Sequence, residues 1–161
     1  MRIIMAAMIL VLAALSWSCS EDTPMEMVKD IRQGHCEYME SDSDYRECLA
    51  ELDKAARKHP DAPWTQCAVA TVRGTRYLNK NSEMLTKYML SPPGPRTCAM
   101  YKWMEDHRAA MLKAMNKCQS LGGAPWMSGN EWKEYRRMIT SIEPLSAVKN
   151  RCLETAQKKK P

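Results

Sequence analysis

The chain has 161 residues, a hydrophobic fraction of 45%, a formal net charge of +5 and seven cysteines, with 14 methionines and no phenylalanine. Beyond its first stretch no segment is apolar enough to span a bilayer, and neither an internal repeat nor a low-complexity linker occurs, which excludes a polytopic membrane protein and a repeat array. The remainder, about 142 residues, suffices for one domain that buries roughly 68–70% of its unfolded surface.

In chain order, Met1-Arg2 leads into Ile3 to Leu15 without one polar residue, followed by Ser16-Trp17-Ser18-Cys19-Ser20 and the acidic Glu21-Asp22. That layout is a signal peptide over residues 1–18. The apolar run of 13 residues falls short of the about 20 that a spanning helix needs. Cys19, directly after a small residue, resembles the lipobox cysteine of bacterial lipoproteins, which is acylated once the signal is cut. The pattern departs at Ser16 and Trp17, where a lipobox has Leu and a small residue. Ser16 with Ser18, or Ser18 with Ser20, also suits ordinary signal peptidase. The resemblance implies a membrane lipid anchor on Cys19, stable with two or more acyl chains; the ordinary cut implies secretion. Both readings make the protein exported: a periplasmic or outer-membrane lipoprotein, or a secreted protein.

Apolar residues then recur at helical spacing almost everywhere. Thr23-Pro24-Met25-Glu26 is a capping box with Pro at the first helical position, and Gly34 ends or bends that helix just before Cys36. Ser43 caps a second helix with the stripe Tyr45, Cys48, Leu49, Leu52 and Ala56, which stops at His59-Pro60. A third helix runs from Trp64 to about Leu78, weakened by Gly74, with Ala68 to Val72 the one stretch where a strand is conceivable. A short fourth begins at Asn81 or Ser82, and Ser91-Pro92-Pro93-Gly94-Pro95 breaks the chain. The fifth spans Cys98 to about Ser120, capped by Thr97 and ended by Gly122-Gly123. Met100, Trp103, Met104, His107, Met111, Ala114, Met115 and Cys118 share one of its sectors. Helices over Asn130 to Ile142 and Pro144 to about Gln157 follow, then a basic tail Lys158-Lys159-Lys160-Pro161. The expected fold is all-α: a single domain over 19–161, a bundle of five to seven short helices.

With Cys19 set aside, Cys36, Cys48, Cys67, Cys98, Cys118 and Cys152 form an even set behind an export signal and read as up to three disulfides. Long spacings and the lack of a Cys-x-x-Cys pair argue against a metal site on these sulfurs. Cys98 and Cys118 sit on one helix about 30 Å apart at about 1.5 Å per residue, far beyond disulfide reach, so each pairs elsewhere and that helix is pinned at both ends.

No catalytic constellation emerges. His35, His59 and His107 accompany no nucleophile elbow, and the carboxylate pairs Glu47 with Glu51 and Glu131 with Glu134 sit among Lys and Arg, as solvated ion pairs do. A small secreted hydrolase is therefore the third reading. The second is a soft-metal carrier in which Met104, His107 and Met111, on one helix face, bind copper(I); no other cofactor is implied. The first is a non-catalytic binding or assembly-support protein of the cell envelope or extracellular space. Residues 19–62 carry 12 acidic and 6 basic side chains, and 63–161 carry 7 and 17. These halves either face each other in the fold, or the basic half, including Arg136, Arg137, Lys149, Arg151 and the lysine tail, meets an anionic envelope surface. The partner is then that surface or an unknown protein, and no nucleic-acid motif is present.

Overall fold

A computed structural model of the chain describes residues 23–36, 39, 41–90, 94–142, 148–150 and 152. The signal segment, Cys19, most of the expected last helix and the lysine tail lie outside them. The elements are α1 (Pro24–Ile31) running into a π turn (Arg32–Cys36), then α2 (Asp42–Lys58), α3 (Pro63–Leu90), α4 (Pro95–Ser120) and α5 (Gly129–Thr140). Among the described residues there is no strand, and no helix is long and apolar enough to cross a membrane. The protein is a disulfide-stapled helical bundle.

Local chemistry sets most boundaries. Thr23 and Glu26 close the expected capping box on α1, and the chain passes Gly34 as a π turn instead of stopping. α2 is capped by Ser41, two residues before the expected Ser43. Ser41 stands three residues ahead of Asp44, so the Asp44 carboxylate accepts from the Ser41 amide while the Ser41 hydroxyl accepts from the Asp44 amide. Ser128 and Glu131 repeat the device on α5.

Two further expectations are overturned. The third and fourth helices are one continuous 28-residue α3, helical through Ala68 to Val72 and through Asn81 and Ser82. Weak local propensity yields here to packing, because Tyr77 and Met84, on either side of the expected break, are both fully buried in the same core. Gly74 is a contact point in α3: a Cβ there would lie 2.3 Å from Met115 Cε and 2.9 Å from the Tyr135 hydroxyl. α4 starts at Pro95 with Gly94 as its cap and no side-chain cap, which places Thr97 inside the helix and buried. Its C-terminus ends as expected. The Gly123 amide donates to the Cys118 carbonyl and the Gly122 amide to the Gln119 carbonyl, a Schellman closure that holds both glycines at positive φ.

α3 is the shared wall of two cores. One side, with Val28, Tyr45, Cys48, Leu52, Ala68 and Val72, packs α1 and α2. The other, with Tyr77, Met84, Met100, Met104, Met111, Met115, Trp132 and Ile139, packs α4 and α5. Each such fully buried side chain contributes roughly 1.5–3 kcal/mol relative to exposure. Three disulfides staple the whole: Cys36 to Cys48, Cys67 to Cys118 and Cys98 to Cys152. α4 is pinned at both ends to different elements, as its length requires, through Cys118 to α3 and through Cys98 to the segment holding Cys152. Disulfides of this kind belong to an oxidising compartment.

Candidate functional site

The acidic and basic halves of the chain meet inside the fold. Arg73 on α3 reaches Asp53 on α2 at 3.0 Å, Arg76 and Lys80 both hold Asp42, and Lys117 on α4 reaches Asp61 at 3.2 Å. The Arg76 hydrogen bond, with the Lys80 charge beside it, holds the Asp42 carboxyl below its usual range. Three acidic side chains of the first segment are thereby paired with four cations of the second.

The residues expected to bind copper do not share one environment. Met104 and Met111 are 0% and 1% exposed within the α3–α4–α5 core. His107, half-exposed, stacks on Trp103 with ring centroids 4.1 Å apart. Of the carboxylates considered for hydrolysis, Glu131 is engaged by the Ser128 cap, Glu134 holds Arg137 at 2.6 Å and Glu51 lies 3.8 Å from Lys54. His59 caps the end of α2, where its carbonyl accepts from Thr65.

What the fold does assemble is a recess of about 270 Å³ beside α3. Its floor is one face of that helix, Ala68, Thr71, Val72 and Thr75, at spacings of three and four residues. Trp126, Met127 and Tyr135 form one wall, from the loop after α4 and from α5; Met39, Cys36 and Arg32 form the other. Trp126 also packs against Trp64 with centroids 5.4 Å apart, which closes the core edge and stiffens that wall.

The polar atoms of the floor are used internally. The Tyr135 hydroxyl donates its one proton to the Thr71 carbonyl at 3.0 Å, so at its 3.0 Å contact with Thr75 the threonine hydroxyl is the donor. Burial pushes the Tyr135 phenol up, which keeps it a donor at neutral pH. Thr71 bonds back to the Cys67 and Ala68 carbonyls. The floor of the recess thus offers no free hydrogen-bond donor.

The mouth is cationic. A second, more open recess of about 440 Å³ is lined by Lys29 and Gln33 and shares Arg32 and Cys36 with the first. The sequence reading did not single out Arg32, Met39, Thr71 or Thr75. The spacing of small residues at 68, 71, 72 and 75 was the available clue, but only the approach of the π turn from one side and α5 from the other makes that face concave. No family model matches the chain, and no curated protein or solved structure shows significant similarity to it.

Proposed function

We propose that this is a non-catalytic binding protein, exported to an oxidising compartment, that holds its ligand in the recess over the Ala68 to Thr75 face of α3. The observation that carries the reading is a concave site whose hydrogen-bond donors on the floor are used internally, just below the usual size range of ligand pockets, between two cores that share α3 and are each closed by disulfides of their own. Three disulfides and a signal-like leader support the address; acylation of Cys19 would tether the bundle to a membrane.

Native mass spectrometry of the oxidised, secreted protein tests this. Wild type is expected to carry a co-purifying small molecule that Thr75→Trp lacks, since Thr75 is an exposed floor position where an indole fills the recess, with loss of the Thr75 hydrogen bond to Tyr135. Wild type and Thr75→Trp with equal circular dichroism, three intact disulfides each and the same ligand content would remove the proposal.

A further inference from the structure

The two recesses share Arg32 and Cys36 in their walls, so the recess over α3 and the one that Lys29 lines are neighbours. Resting on the binding reading above, we infer that the ligand is a single-chain acidic amphiphile, its hydrocarbon body in the recess over α3 and its carboxylate on Arg32 and Lys29.

The charge argument rests on position. Arg32 is exposed, makes no ion pair among the described residues and lines both recesses. Lys29 stands one helical turn away on the same side of α1, three residues earlier. Its neighbour Glu26 is occupied by the Thr23 cap, through both the Thr23 amide and hydroxyl. A guanidinium fork offers a carboxylate two parallel donors, and the ammonium adds a point charge. Glu26 still offsets part of the Lys29 charge, so a cationic or neutral amphiphile would leave chiefly Arg32 uncompensated beside its head group.

Size fixes the other half of the ligand. The recess of about 270 Å³ lies below the usual range for drug-sized molecules of roughly 300–1,000 Å³ and suits one short chain. Its floor of Ala, Thr and Val on a helix face offers no free donor, because the Thr71, Thr75 and Tyr135 protons are all used internally, which favours a ligand body without acceptor groups, such as a hydrocarbon chain.

The test is calorimetric titration of the oxidised full-length protein with decanoate, decanol and decyltrimethylammonium below their aggregation limits. Decanoate is expected to bind one to one, decanol about tenfold more weakly and the cation not measurably. Lys29→Gln with Arg32→Gln, both exposed positions, is expected to lower decanoate affinity about tenfold while leaving decanol unchanged. Thr75→Trp is expected to abolish both. Equal affinity for acid and alcohol, or decanoate binding indifferent to Arg32→Gln or Thr75→Trp, would overturn the inference. Co-sedimentation with vesicles of anionic phospholipid, lost in the double variant, would also overturn it by moving the contact to a membrane surface. If decanoate fails while a co-purifying ligand is still lost in Thr75→Trp, the acid class falls and the binding reading survives; if both fail, both fall.

Discussion

His107 lies nearly flat on the Trp103 ring, and its Nδ1 donates to the Trp103 carbonyl at 2.8 Å. A carbonyl only accepts, so Nδ1 carries a proton and only Nε2 could serve as a ligand atom. The packing of Met104 and Met111 makes them core residues first. Met104→Leu is expected to cost less than about 1.5 kcal/mol in urea denaturation, as volume-conserving swaps do. In competition with a chromophoric chelator, the oxidised protein is expected to retain no stoichiometric copper(I). One equivalent retained, and lost in Met104→Leu with His107→Ala, would establish metal carriage instead.

The staples differ in the chain they close. Cys67 and Cys118 are 51 residues apart, and Cys36 and Cys48 only 12. Replacing the first pair by Ala is expected to cost roughly 4 kcal/mol and the second roughly 3, because the longer loop restricts the unfolded chain more. Alkylation followed by intact mass is expected to label none of the six cysteines from 36 to 152 before reduction and all six after it.

Gly123 combines two constraints. Its φ is +93°, and a Cβ there would lie 2.5 Å from Cδ1 of Trp132, whose indole donates to Gln119 at 2.9 Å. Gly123→Ala is expected to destabilise the fold by about 1–3 kcal/mol. Gly122 has the same sign of φ but open space around it, so Gly122→Ala should cost less. Denaturation midpoints of the two variants order them.

Stability should fall at both ends of the pH scale, through different residues. Asp42 is held below its unfolded value by Arg76, so its contribution is present above the unfolded pKa of about 3.9 and is lost as pH falls through the folded one. With 54% of its side chain exposed, that contribution is under about 1 kcal/mol. Tyr101 is opposite in sign. Burial, aided by its hydrogen bond to Glu105, pushes its phenol up to about 12, so its contribution is complete below about pH 10 and disappears as pH rises towards 12. Urea midpoints across pH should show a flatter acid limb in Asp42→Asn and a flatter alkaline limb in Tyr101→Phe.

Periodicity and capping chemistry were enough to read an all-α bundle from the chain, because a helix face and a helix end are local properties of a dozen residues. The α4 stripe from Met100 to Cys118, the Gly122-Gly123 stop and the Thr23 box all stand where the sequence puts them. The exclusion of a Cys98 to Cys118 bridge followed from helix rise alone. Where local cues were weak, tertiary packing decided. α3 runs unbroken through Asn81 and Ser82 because Tyr77 and Met84 are buried in one core, and that burial outweighs a modest propensity cost. Connectivity of the three disulfides, the pairing of acidic α2 with basic α3 and the recess over Ala68 to Thr75 likewise depend on residues far apart in the chain. Sequence alone established the helices and the need for staples, since both follow from spacing along one segment. Which elements touch, and hence where a concave site and its cationic mouth arise, was settled only by three-dimensional packing, because no local pattern encodes the distance between α3, α5 and the turn at Arg32.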